Sequence, residues 1–281
     1  LKEKYEKYKM QILDKLEKMQ NVEVFCRGDV WKQGMYDVEE LKKMTDEDAA
    51  EIEFVRSKLS DERSLTIFNR LMQYRVSNDE TLYENISSNV QNQYFEPFVP
   101  LGNDEFFVDA GGYTGETSIY FAELVKQAYK KILIFEPDEI LNAVVHERIR
   151  NHGLHDVEIF QKGLFSHSGT IAFERHPEEG ASTIKESGTD HIETISLDEM
   201  MITDKVTYIK MDIEGSEMEA LEGAKNIIER DHPKLAICIY HKVYDLWKIP
   251  YYLMKKYPFY KFYIRHYNPN NFTETVLYAV L

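Results

Sequence analysis

With 281 residues, 43% of them hydrophobic, the chain has the length and composition of one large α/β domain plus an accessory segment. Its 49 acids outnumber its 34 bases, and a net charge of −15 argues against capture by nucleic acid or an anionic lipid surface. No apolar run is long enough to cross a bilayer and the first residues lack a signal-peptide core, so a cytoplasmic protein acting on a small neutral or cationic molecule is expected.

Residues 1 to about 20 carry Tyr5, Tyr8, Ile12, Leu16 and Met19 at three- and four-residue steps among lysines and glutamates, the pattern of an amphipathic helix. Further helices are predicted around 46–59 and from 60 to about 75, where Leu65, Phe68, Leu71 and Met72 share a side. Residues 1–90 therefore read as a helical N-terminal extension that caps the remainder or builds a homodimer. Pro97 and Pro100 make the following segment extended. Within it, Tyr94 and Phe95 either fold over a ligand or staple the N-terminal helices.

From there strand and helix alternate. Strands are predicted at 106–110, 131–136, 157–161, 206–211 and 235–240, and helices at 115–128, 138–151, 214–230 and 243–255, which demands a mostly parallel sheet. An insertion after the third of these strands holds two short strands, at 170–173 and near 191–196. The chain finishes on an antiparallel pair, 259–267 and 274–281, around Asn268-Pro-Asn-Asn271. Cys26 and Cys238 form no metal or redox motif, and Cys238 reads as a small core residue.

The chemistry concentrates at the carboxyl ends of the predicted strands, where open α/β sheets bind ligands. Phe106-Phe-Val-Asp-Ala-Gly-Gly-Tyr-Thr-Gly115 is a buried strand running into a glycine turn and a helix, with Asp109 near the strand end. Glu136, before Pro137 and Asp138, closes the second strand where an acid chelates ribose hydroxyls. An acid just before the turn repels a pyrophosphate but holds an ammonium directly or through water, and the Gly-x-Gly-x-x-Gly spacing is missing. S-adenosylmethionine therefore fits this pocket and NAD fits poorly. Ala110, Gly111, Gly112, Tyr113, Thr114, Glu136, Pro137 and Asp212 are the expected cofactor contacts alongside Asp109.

These motifs, together with Ile195-Ser-Leu-Asp198 and Lys210-Met-Asp-Ile-Glu-Gly-Ser-Glu217, resemble those of the FkbM-type methyltransferases over residues 94–281. The resemblance implies a Rossmann-like class I methyltransferase fold, a mostly parallel seven-stranded sheet with a C-terminal antiparallel pair, for residues 91–281. It also implies methylation of a hydroxyl on a sugar, glycan or related small molecule. An NAD-dependent oxidoreductase and a non-catalytic cofactor-binding protein are the rival readings.

Methyl transfer from a sulfonium to a hydroxyl needs in-line positioning and a proton acceptor. Asp212 follows the fourth parallel strand and His241 the fifth. Either is placed to act as base, His241 as an imidazole near its ordinary pKa. Lys210 is the third catalytic candidate, orienting Asp212 or the substrate oxygen, with a buried structural ion pair as the alternative. Glu217, Glu219 and Glu222 read as a solvated helix face. Asp212, Glu214 and His241 are metal-ligand types without a close-spaced signature, so no metal is assigned.

Overall fold

The computed structural model describes residues 38–77, 79–176, 181–184 and 190–281; the helix expected over the first 20 residues lies outside them. Glu47–Leu281 form one compact unit, and helix α1 (Val38–Glu47) falls, up to Asp46, in another. The unit carrying the sheet thus begins near residue 47, well before the boundary expected at 90.

Helices α2 (Ala49–Lys58) and α3 (Glu62–Ser77) precede the parallel strands β1 (Phe106–Ala110), β2 (Lys131–Phe135), β3 (Val157–Phe160), β8 (Tyr208–Met211) and β9 (Lys234–Cys238). The antiparallel pair β10 (Lys261–His266) and β11 (Thr275–Val280) completes a seven-stranded sheet of order β10-β11-β9-β8-β1-β2-β3. In register, Val108 of β1 lies between Leu133 of β2 and Ile209 of β8. Every residue of β1 is buried, as its near-continuous apolar run requires of a central parallel strand. The rings of Phe107, Phe121 and Tyr208 close the core on one face, Phe107 lying 4.6 Å from Phe121 and 5.3 Å from Tyr208 between centroids.

Helices α4 (Glu116–Leu124), α5 (Glu139–Asn151) and α8 (Asp245–Lys256) fall near their predicted spans. The helix predicted over 214–230 is two: α6 (Glu217–Glu222) and α7 (Lys225–Asp231). They break at Gly223, where an added Cβ would sit 2.1 Å from the Phe165 carbonyl oxygen, so the loop after the short strand β4 (Gly163–Leu164) packs directly on the bare backbone. The insertion is a separate four-stranded sheet of order β4-β7-β5-β6, made with β5 (Gly169–His176), β6 (Ala181–Ile184) and β7 (Asp190–Ile195). Strands β4 and β6, too short to show an alternation, are not among the predicted strands.

The N-terminal helices are built into the sheet's antiparallel edge. Asp61 pairs with Arg265 of β10 at 2.6 Å, and the Ile264 amide donates to Ser64 Oγ at 2.9 Å. Asp48, just before α2, accepts from Trp247 Nε1 and Lys248 Nζ of α8 at 2.8 and 2.6 Å.

Candidate active site

The glycine turn is held against the end of β2. The amides of Gly111 and Gly112 both donate to the Phe135 carbonyl, at 3.0 and 2.9 Å. Gly111 has φ +79°, and a Cβ there would lie 1.8 Å from the Asp212 carbonyl oxygen, so β1 and the residue after β8 meet backbone to backbone. Glu136 braces the same turn, one carboxylate oxygen accepting from the Tyr113 amide at 2.8 Å and the other from the Asp138 amide at 2.9 Å. Burial lifts its carboxyl to about 7 against the pull of those two amides. The Thr114 hydroxyl beside it is buried without a hydrogen-bond partner, and Tyr113 is exposed. Asp138, after Pro137, caps α5 through the amides of Ile140 and Leu141.

Asp109 and Lys210 sit side by side on β1 and β8, 0% and 2% exposed, with Asp109 Oδ1 3.0 Å from Lys210 Nζ. Ser118 Oγ donates to the other carboxylate oxygen at 2.7 Å. The Lys210 ammonium also donates to the carbonyls of Ala110 and Gly111, at 3.1 and 2.6 Å. The ammonium thus donates to two turn carbonyls and is ion-paired with Asp109. Burial would lower the lysine, but the Asp109 and Asp212 charges outweigh it and hold the ammonium protonated. Lys210 thus takes the buried ion-pair alternative, bracing the glycine turn, and Asp109 faces Lys210 and Ser118 with its Oδ1 making no hydrogen bond.

One strand further along, the balance is different. His241 follows β9 and is 5% exposed; its Nδ1 lies 2.9 Å from Glu217 Oε1, and its Nε2 lies 3.3 Å from Asp212 Oδ1 and 3.6 Å from Glu214 Oε2. Burial alone would depress the imidazole, yet Glu217, then Asp212 and Glu214, push it up to about 10. The surrounding carboxylates thus favour the protonated ring, in contrast to the imidazole near its ordinary pKa expected from the sequence. Glu217, expected on a solvated face, is 0% exposed and its Oε1 accepts the Ile213 amide at 2.9 Å.

Asp212 is the member of this group that reaches outward, 24% exposed. Tyr94 O–H donates to its Oδ2 at 2.8 Å and Tyr240 O–H to its Oδ1 at 3.2 Å. Burial raises its carboxyl, but Lys210, His241 and the Tyr94 hydroxyl more than compensate and hold it below the usual range. Tyr94 therefore reaches over the site rather than stapling the N-terminal helices. Its φ of +69° is fixed by backbone hydrogen bonds with the hydroxyls of Tyr278 and Tyr208, and its ring lies 5.2 Å from Lys210 Nζ. Glu274, from the turn before β11, closes the far side. It accepts from Gln93 Nε2, and its carboxyl is raised by burial and by Asp212. Sequence reasoning passes over Tyr240 and Glu274, whose contacts join residues more than 25 positions apart.

A mostly parallel sheet of this strand order, with its glycine turn and acid-closed second strand, is the class I methyltransferase fold, whose methyl donor is S-adenosylmethionine. The Methyltransferase FkbM domain matches residues 109–265, more than half of the chain, and the chain belongs to that family. It is similar to the solved methyltransferase FkbM of Methylobacillus flagellatus KT, at TM-score 0.73 and 23% identity over 85% of this chain and 60% of that one. It is 24% identical over 185 residues to Methyltransferase 1 of Beauveria bassiana, covering 53% of this chain and 74% of the relative. Over 72 residues it is 38% identical to the hexuronic acid methyltransferase AglP of Haloferax volcanii, 24% of this chain and 30% of that protein. Among the described residues no helix is long and apolar enough to cross a membrane.

Proposed function

We propose that this chain transfers the methyl group of S-adenosylmethionine to a hydroxyl of a sugar or related small molecule. The observation that carries the reading is the partly exposed Asp212, backed by His241 and flanked by the Tyr94 and Tyr240 hydroxyls, one residue beyond β8 and beside the glycine turn. The name of the Haloferax relative, a hexuronic acid methyltransferase, supports a sugar acceptor.

In this reading Ala110, Gly111, Gly112, Tyr113 and Thr114 wrap the methionine part of the cofactor, and Glu136 and Pro137 bound its ribose. Asp109 contributes through Lys210 by fixing the turn. S-adenosylmethionine bound there would supply an electrophilic methyl group to the acceptor oxygen, its carbon–sulfur bond breaking to release S-adenosylhomocysteine. The hydroxyl proton passes to the carboxylate of Asp212, the partly exposed member of the group. Incubating the protein with methyl-labelled S-adenosylmethionine and a panel of uronic acids, neutral sugars, sugar nucleotides and amines tests it. Label should enter an O-methyl ether of a sugar. Cofactor binding with label found solely on nitrogen acceptors would contradict the hydroxyl assignment.

A further inference from the structure

We infer that Asp212, Glu217 and His241 form a binding site for a first-row divalent cation such as Mn²⁺, set where the acceptor would lie. The inference takes the same site as the proposed function and rests on that reading for the cation's role in turnover, while the binding itself is independent of it.

Three observations carry it. The first is placement: one ligand atom from each residue lies within 4.8 Å of the other two. Ligands on a cation with bonds of ~2.1 Å are ~3 to ~4.2 Å apart, so small side-chain movements close the set. The second is that the donors do not fully satisfy one another. His241 Nδ1 lies 2.9 Å from Glu217 Oε1, but Nε2 of His241 and Oε2 of Glu217 are buried without a hydrogen-bond partner, although His241 is 5% exposed and Glu217 fully buried. Buried polar atoms of this kind are uncommon without a ligand or ordered water to meet them.

The third is charge. His241 faces the carboxylates of Asp212, Glu214 and Glu217, with Glu274 beyond Tyr240, while the Lys210 ammonium is shared between Asp212, Asp109 and the turn carbonyls. A divalent cation bound through the deprotonated imidazole would take the place of the ring proton and supply the further charge this group lacks. Two carboxylates and an imidazole are a mixed oxygen and nitrogen set, which suits Mn²⁺ or a neighbouring first-row ion better than a cation restricted to oxygen ligands. Bound there, it would hold the acceptor oxygen and acidify its hydroxyl, so that a weak carboxylate base suffices to take the proton.

The test is Mn²⁺ titration of the chelator-treated protein, with free Mn²⁺ followed by electron paramagnetic resonance and S-adenosylmethionine affinity measured in parallel. Saturable binding of one equivalent is expected, weakened by ~10-fold or more in both Asp212→Asn and Glu217→Gln. Circular dichroism confirms that each variant is folded, and the partly exposed Asp212 supplies the answer if Glu217→Gln does not fold. No saturable binding by the folded wild type, or binding undiminished in the folded variants, overturns the site. Loss of S-adenosylmethionine binding with the Mn²⁺ site intact would instead strike the methyl-transfer reading.

Discussion

Two buried groups of charge lie on neighbouring strands of the same sheet, and they are built to opposite ends. On β1 and β8, Asp109 and Lys210 match one acid to one base, add Ser118 and two backbone carbonyls, and shut out solvent. Around β9, one imidazole is set among Asp212, Glu214 and Glu217, and the group opens to the surface through Asp212 and Glu214, 24% and 33% exposed. A neutralised, enclosed pair fixes geometry. A cluster with surplus charge and an open side is suited to bind and react.

The sharpest way to break this contrast is to remove the lysine. Lys210→Met leaves a buried, unpaired Asp109 and releases two turn carbonyls, and should cost about 3–5 kcal/mol of stability by urea denaturation. Adding Asp109→Asn should restore part of that loss. A Lys210→Met protein of wild-type stability would show that the pair does not hold the turn.

Asp212→Asn should do the reverse. Methyl transfer should fall by about 10²-fold in kcat with the protein still folded, since the residue is partly exposed and its hydroxyl neighbours can bond an amide. Steady-state kinetics beside a thermal melt separates the two readings. Equal turnover in the variant would remove Asp212 from the reaction.

Glu136, just after β2, braces the turn yet is assigned to the cofactor. Glu136→Ala should weaken S-adenosylmethionine binding by about 2 kcal/mol in calorimetry. Unchanged affinity would leave Glu136 a brace alone.

The smallest expected effect is a control on a buried histidine outside both groups. His266 on β10 is held down to about 4 by burial, against the backbone at Asn268 and Asn271 and with help from the Arg75 charge. Its folded pKa lies below the unfolded value near ~6.5, so the unfolded chain takes the proton first. Its contribution is fully present above ~6.5 and is lost as pH falls toward ~4. Between pH ~7 and ~5.5 the wild type should lose about 1 kcal/mol more than His266→Gln in denaturant titrations. Parallel losses in the two proteins would show that His266 does not titrate in this window.

Much of the frame is legible in the sequence because its signals are local. The apolar run of β1, the glycines after it and the acid–proline end of β2 each sit within a few residues. The antiparallel pair is marked by Asn268-Pro-Asn-Asn271. Asp212 and His241 are found because Asp212 directly follows β8 and His241 lies just beyond Cys238, the last residue of β9. What they touch is not legible, since Tyr94 reaches Asp212 across 118 positions and Gln93 reaches Glu274 across 181. Glu217 is misread because its helix presents Glu217, Glu219 and Glu222 alike, and only packing decides which one is buried. A hint was present in the spacing: a glutamate four residues after Ile213 can turn back to accept that amide, as it does. The break at Gly223 and the pairing of Lys210 with Asp109 depend on chain segments far away in sequence.

The central claim is that the open cluster beyond β8 and β9, not the enclosed pair, receives the acceptor hydroxyl. The direct measurement is single-turnover transfer of labelled methyl from bound S-adenosylmethionine to a sugar acceptor, in the wild type and Asp212→Asn at matched cofactor occupancy. The account predicts an O-methylated sugar from the wild type and a rate lower by about 10²-fold in the variant, with cofactor affinity little changed. Equal single-turnover rates in the two proteins would contradict it.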